Sequence, residues 1–322
     1  MTSISIKEYE DEITDSRLVL HISGKDISDT IVNTYRRVIL TLIPIYIFNK
    51  IHFTKNNSVF NNNYLKLRLR NLPILSIKTD ESIFVPMSVK KDEDEDNIEL
   101  QDNIEYDTTK ALNSSSLNQL TMYLNKKNET NEIISVTTND AKFYLAEKNI
   151  ENPYKNKIQL IKLQPNQEIN MTCITDKNIE DYDSLYSPVS ICCFTKNKEN
   201  DYDFVIESRG QLTEFEIINI AFDNIINLLD KFYKLIPDVK DTEGKISFSN
   251  FDHTIGNIIS EGLQNHKDVD FAGYAMNHPL ENKIVITFRL NSSTLKAISK
   301  DVISNYKKVF KEFNSKVQKL SK

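Results

Sequence analysis

TEFEIINIAFDNIINLLDKFYKLI (213–236) carries the pattern on which the fold turns. Phe215, Ile218, Phe222, Ile225, Leu229, Phe232 and Ile236 recur at spacings of 3, 4, 3, 4, 3 and 4. That places them along one seam of a helix over three heptads. Pro237 ends it, because proline lacks the N–H that a helix interior needs. So long a seam calls for a helical partner. The partner is at the far C-terminal end, where Ile298, Val302, Tyr306, Val309, Phe313, Val317 and Leu320 recur at 4, 4, 3, 4, 4 and 3. The spacing predicts a second long helix over 296–320, packed against the first.

Outward from these helices the same reading yields two similar runs. RLVLHIS (17–23) is β-branched and alternating, the mark of a strand. Ile27, Ile31, Tyr35, Val38 and Leu42 then trace a helix face, with Ser28 or Asp26 as its cap and Pro44 beyond its end. Its polar face carries Asn33, Arg36 and Arg37. Strands are expected at 45–53 and 64–69, with 56–63 a loop. An acidic tract at 92–107 and a Ser/Asn/Thr/Lys-rich run at 108–132 read as a mobile, solvated insertion. Strand-like runs return at 133–137, 158–163, 187–194 and 204–208, and 161–175 reads as strand, turn at Pro165–Asn166, strand. The second run has a strand at 245–250, a helix at 253–265 and strands at 271–276 and 283–290 before the last helix. Strand, helix, strands and long helix thus occur twice, an architectural repeat.

Composition narrows the chemistry. The 322 residues carry 40 basic and 46 acidic side chains, for a formal charge of −6. A protein that tracks nucleic acid by itself carries a basic excess or stripe, so direct nucleic-acid binding is not expected. The six glycines form neither G-x-G nor a phosphate-cradling loop. The three cysteines, Cys173, Cys192 and Cys193, contain no C-x-x-C, so a zinc or iron–sulfur site has no ligands, and no cofactor is expected. Cys192 and Cys193 read as small apolar residues of a strand. Asp92, Asp94 and Asp96 have the spacing of a calcium loop, but Asn97 stands where its glycine belongs and Asn103 where its glutamate belongs. The N-terminal region has no apolar run, so no secretory signal is expected, and the longest apolar stretch, 38–48, is too short for a membrane span. Asn, Ile and Lys are abundant, as in proteins of AT-rich genomes.

Several segments, in order, resemble blocks of one family. ISDTIVNTYRRVILTLIPIYIFNKIHF (27–53) has its first helix with the paired arginines. IKLQPNQEI (161–169), YSPVSICCF (186–194) and FVIESRGQLTEFEIINIAFDNI (204–225) follow its middle, and LRLRNLPI (67–74) matches a further block with Asn71 in place of its glycine. FDHTIGNII (251–259) and DVDFAGYAMNHPLENKIVITF (268–288) are the sharpest. The family is the small assembly subunits of cellular DNA-directed RNA polymerases: the bacterial alpha N-terminal domain, archaeal subunits D and L, and the eukaryotic third and eleventh subunits. Two of these subunits look fused here, with 237–244 as the junction, a form similar to that of nucleocytoplasmic large DNA viruses.

The resemblance implies an α+β fold in which one chain forms an alpha-like pseudo-dimer. A D-like half would comprise 1–44 and 201–237, an L-like half 238–322, and a β-rich domain with its acidic loop would be inserted at 45–200. It implies a scaffold without catalytic residues, holding the two largest polymerase subunits and other small ones, with no homo-oligomer and no membrane partner. Intracellular residence is implied, in the virion and host cytoplasm if viral, or in the nucleus. A stand-alone interaction module reusing the fold is the alternative. On the residues alone, Arg36 and Arg37 read as a solvated face favoured by the helix C-terminal dipole. The resemblance implies instead that they and Asn33 dock the second-largest subunit. Asp252, next to His253, reads as a helix cap rather than a catalytic partner, and the resemblance turns Asp252, His253 and Asn257 towards the largest subunit. Phe215, Ile218, Phe222, Ile225, Leu229 and Phe232 would pair with Ile298, Val302, Tyr306, Val309 and Phe313 inside the chain.

Overall fold

A computed structural model describes residues 2–10, 16–75, 119–145, 148–238, 241–276, 278 and 283–321. The chain divides into two compact units: Met1–Ile43 with Ser187–Lys322, and Pro44–Asp80 with Val89–Tyr186. The acidic tract at 92–107 lies outside the described residues. Both units mix helices with antiparallel sheets.

In the first unit, strands β1 (Ser3–Glu10) and β2 (Arg17–Ser23) lead into helix α1 (Asp29–Thr41). The Ser28 hydroxyl caps α1 by accepting from the Ile31 N–H, and Ile31, Val32, Tyr35, Val38 and Ile39 form its buried face. The unit resumes with β10 (Val189–Lys198), β11 (Asp201–Ser208) and helix α3 (Glu214–Leu235). Thr213 and Glu216 close a capping box at the start of α3, each side chain bonding the other residue's backbone N–H. The second run follows as β12 (Glu243–Ser249), α4 (His253–Gln264), β13 (Val269–Met276), β14 (Lys283–Leu290) and α5 (Leu295–Leu320). One sheet has the order β1-β2-β11-β10 and the other β12-β14-β13. In both, the strand before the short helix pairs with the strand before the long helix, and the middle strand is an edge. The sequence repeat is therefore a repeat of strand pairing as well as of element order.

The long helices α3 and α5 lie antiparallel. The Gln318 amide donates to the Phe215 carbonyl at one end, Asn314 to Asn219 further along, and Lys307 to Asp230 beyond that. Between these polar pairs lie Ile218, Ile225, Leu229, Phe313 and Val317, and beyond the last of them Val302, all buried. The face of α5 is wider than the seam read from sequence. Phe310 is fully buried, with its ring 5.4 Å from that of Tyr35 on α1, while Phe313 lies 4.4 Å from the same tyrosine. Phe232 of α3 meets Phe248 at 4.6 Å and Phe251 at 5.5 Å, so the first run packs into the second through aromatic contacts.

The second unit holds β3 (Ile45–Asn56), α2 (Asn62–Arg70), β4 (Leu120–Lys127), β5 (Ile134–Thr137), β6 (Ala141–Leu145), β7 (Lys148–Ile150), β8 (Gln159–Leu163) and β9 (Glu168–Asn178). Five strands form a sheet of order β3-β9-β4-β6-β7, and β5 pairs with β8. Pro165 and Asn166 sit at the centre of the β8–β9 turn, closed by the Gln167 N–H on the Gln164 carbonyl. Asn166 takes φ 64, a left-handed conformation that asparagine tolerates better than branched residues.

Five sequence expectations are corrected. Residues 64–69 are helical: Asn61 caps α2 by accepting from the Tyr64 N–H, and Leu65 and Leu69, four apart, are its buried residues. The alternating Leu/Lys/Arg spacing mimics a strand, but the cap and the i,i+4 leucines outweigh it. Residues 120–127, expected in a solvated insertion, form a central strand with Leu120, Met122 and Leu124 buried. Residues 3–10, read from the sequence only as lacking an apolar run, are a strand on β2. The segment 187–200 goes with the first unit, because β10 pairs along β11 rather than with the inserted sheet. Cys193 is exposed while Cys192 is buried, since neighbours on a strand face opposite ways.

Two predictions follow from this packing. Asp203 of β11 accepts from Lys7 Nζ of β1 at 2.8 Å and lies 3.0 Å from His21 Nδ1 of β2, so one carboxylate ties three strands. The hydrogen bond from Lys7, helped by His21, holds its pKa down at about 2, against an ordinary 3.8. A carboxyl whose pKa is depressed by folding contributes stability above the ordinary value and loses it as pH falls through the folded one. Urea unfolding should show stability falling between about pH 4 and pH 2, and Asp203→Asn should flatten that interval. On α4, a Cβ at Gly262 would overlap Val302 and Tyr306 of α5. Gly262→Val should cost about 1–3 kcal/mol in thermal unfolding despite removing a helical glycine.

Candidate partner interface

α1 and α4 meet side by side, and three of the residues named from the sequence, Arg37, Asp252 and Asn257, bond across this seam. Asp252 precedes α4 and caps it, its Oδ1 accepting from the Thr254 N–H at 2.9 Å. Its Oδ2 accepts from Arg37 Nη2 at 2.7 Å and from the Thr254 hydroxyl at 2.9 Å, while Arg37 Nε donates to Thr254 Oγ1 at 2.8 Å. The Arg37 fork is thus closed on the first turn of the neighbouring helix. The planar guanidinium suits that task, because it presents two donors in a fixed geometry. The Arg37 and Asp252 side chains are 31% and 43% exposed, so water screens the charge pair and the cap carries much of its value.

Arg36 has a different setting. Its Nε and Nη2 both donate to Asn33 Oδ1, at 3.1 and 3.0 Å, one turn back on the same helix. An asparagine carbonyl holds the guanidinium in place without neutralising it, and the group is half-buried. Asn257 of α4 donates to the Thr30 hydroxyl at 3.3 Å, a second α1–α4 bond. His253 is exposed, with Nδ1 3.3 Å from the Tyr274 hydroxyl and the rings 5.8 Å apart. Gly256 lies beneath the same tyrosine, where a Cβ would overlap its ring. The structure therefore joins Arg37, Asp252 and Asn257 across the α1–α4 seam, while Arg36 and Asn33 bond each other within α1 and His253 lies against Tyr274 of β13.

Of the helix-pairing residues, Phe215, Ile218, Ile225, Leu229, Phe232, Ile298, Val302 and Phe313 are buried, whereas Phe222, Tyr306 and Val309 are half-buried. Tyr306 sits against Gly262, and burial, with the nearby charge of Glu261, pushes its hydroxyl well above the ordinary tyrosine range. Sequence reasoning missed Tyr35, Phe310 and Thr254. Tyr35 was read as one residue of a helix face, and its place between two phenylalanines of α5 depends on contacts 275 and 278 residues away, between 35 and 310 or 313. Thr254 carried no signal except its position two residues after a cap. Among the described residues, no group of three or more His, Cys, Asp or Glu side chains is placed to hold a metal ion, and no helix is long and apolar enough to cross a membrane.

Residues 243–316, from β12 into α5, match the family model of the RNA polymerase Rpb3/Rpb11 dimerisation domain. A DNA-directed RNA polymerase subunit of Acanthamoeba polyphaga mimivirus is 24% identical over 294 residues, covering 86% of this chain and 82% of the relative. The rpac1 subunit of RNA polymerases I and III of Dictyostelium discoideum is 24% identical over 243 residues, 74% of this chain and 62% of that protein. The RNA polymerase II subunit RPB11 of Caenorhabditis elegans is 35% identical over 78 residues, 24% of this chain and 64% of the relative. The chain thus spans a little under two thirds of each of these two cellular relatives.

The seam makes a direct prediction. Asp252→Ala should lose both the cap and the ion pair, about 1–2 kcal/mol in urea unfolding. Asp252→Asn keeps a capping oxygen and should lose about 0.5 kcal/mol or less. Equal losses would mean that the charge, not the cap, carries the site. Across both of its repeats, the chain has as its homologues assembly subunits, of the Rpb3/Rpb11 type, of multisubunit DNA-directed RNA polymerases.

Proposed function

We propose that this chain is the non-catalytic assembly scaffold of a multisubunit DNA-directed RNA polymerase. In this reading, residues 1–44 and 187–237 stand for one alpha-like subunit and 238–322 for the other, joined as an intramolecular pseudo-dimer, while 45–186 is the inserted domain. The observation that carries the reading is the repeated pairing pattern. Each repeat ends in a long helix, and the two helices lie antiparallel with polar pairs at both ends of the seam. That is the arrangement expected when a dimer interface is built within one chain. A covalent link of a few residues raises the effective concentration of one half at the other to the millimolar scale, so no separate alpha-like subunit is needed.

The two large catalytic subunits and other small polymerase subunits are the partners in this proposal. The surface of α1 beside the α1–α4 seam is the docking surface for the large ones. Arg36 is its anchor, because its charge is held by a neutral amide and stays available to a partner carboxylate. Arg37, Asp252 and Asn257 shape the surface from within. The viral relative spanning most of the chain supports residence in an intracellular viral factory, with the virion and host cytoplasm as the finer assignment.

The tagged full-length chain, purified from its native source, should bring down two large subunits in 1:1 ratio together with template-dependent RNA synthesis. Arg36→Glu should reduce that recovery about tenfold or more, as removal of an interface arginine does, and leave thermal unfolding unchanged. A tagged chain recovered alone would favour a stand-alone interaction module. Recovery unaffected by Arg36→Glu would place the docking surface elsewhere.

A further inference from the structure

Helix α2 has apolar residues on both faces. Leu65 and Leu69 are buried beneath it, while Tyr64 and Leu67 stand 48% and 58% exposed on the other side. Phe60, just before the helix, stacks on Tyr64 at 4.6 Å, so Phe60, Tyr64 and Leu67 form an outward ridge at i, i+4 and i+7. Beside the ridge is an open groove of about 350 Å³, lined by Val59, Phe60, Tyr64, Ile133 and the β8 residues Gln159 to Lys162. Val59 and Ile133 are 64% and 63% exposed. Of the ten exposed large apolar side chains of the described residues, five belong to this ridge and groove. Exposed single apolar residues are ordinary, but a cluster with aromatic members is the signature of an interaction surface.

The rim is basic. Arg68 lines the groove and is fixed by a 2.7 Å bond from Nη2 to the Gln159 carbonyl, which leaves its other N–H donors at the opening. Lys162 is exposed and has no ion-pair partner among the described residues. Among the described residues, no carboxylate lines the groove. The ridge from residue 60 to 67 is about 10 Å long at the helical rise, enough for two or three side chains.

We infer that this groove docks a segment of another polymerase subunit that presents two or three apolar side chains flanked by aspartate or glutamate. The apolar residues would cover the Phe60–Tyr64–Leu67 ridge and fill the groove, and the carboxylates would meet Lys162 and Arg68. The partner's being a polymerase subunit rests on the assembly function proposed above, while the apolar and acidic character of the segment rests on the groove itself. Because Leu67 and Ile133 are mostly exposed, altering them leaves the core of the unit in place.

The test is site-specific photo-crosslinking in the full chain, with p-benzoylphenylalanine at position 133, purified as the assembled complex from its native source. The expected result is a cross-link to one peptide of another stoichiometric subunit, bearing Asp or Glu beside apolar residues. Leu67→Asp and Lys162→Glu should each lower the cross-link yield at least tenfold without altering thermal unfolding or recovery of the two large subunits. A cross-link to the chain's own residues 92–107, a cross-linked peptide without carboxylates, or no cross-link in a complex that retains the large subunits would overturn the groove assignment. Failure of the unaltered chain to recover the large subunits would overturn the assembly function itself, and the proposal with it.

Discussion

The antiparallel contact of α3 and α5 is the constraint on which the first unit depends. Each helix bears an apolar face too long to be covered by a three- or four-stranded sheet alone, so each serves as part of the other's cover. Polar pairs at Phe215–Gln318, Asn219–Asn314 and Asp230–Lys307 set the register, since a slip of one turn would separate every one of them. Tyr35 and Phe232 then extend the contact to α1 and to the start of α4. Two strand–helix repeats that would each leave an apolar helix uncovered become one core.

The same packing decides what the paired arginines can do. Consecutive residues on a helix point about a hundred degrees apart, so Arg36 and Arg37 cannot share a role. Arg37 faces α4 and closes on Asp252 and Thr254, joining a side-chain charge to a helix cap. Arg36 turns away and rests on Asn33. In the proposed scaffold, one arginine organises the surface and the other presents it. α4 also packs too closely for side chains at Gly256, which meets Tyr274 of β13, and at Gly262, which meets Val302 and Tyr306 of α5, and this explains two glycines inside one helix of a glycine-poor chain.

The second unit was harder to read from sequence. Four of its strands, β5 to β8, have only three to five residues, and β4 contains an alternation of Leu120, Met122 and Leu124 that was masked by the polar residues around it. In α2, leucines at every second position satisfied a strand template, and only the Asn61 cap and the burial of Leu65 and Leu69 decided otherwise. The leucine between them, Leu67, is the one left facing solvent, so the feature that misled the sequence reading is also the feature that gives α2 its outward ridge.

Local periodicity by itself determined the two long helices, the proline stop of the first, the short helices α1 and α4, the β8–β9 turn and the order of elements in the two repeats. These depend on neighbours within a few residues, where spacing, capping oxygens and proline act directly. It also determined that Asp252 would cap a helix. Only the tertiary structure decided that the strands of the two repeats pair in the same order, that residues 3–10 join a sheet, that Phe310 is buried against Tyr35, and that Arg37 rather than Arg36 bonds the cap. Those outcomes join residues up to some hundreds of positions apart, and no pattern within either segment encodes which distant surface it will meet.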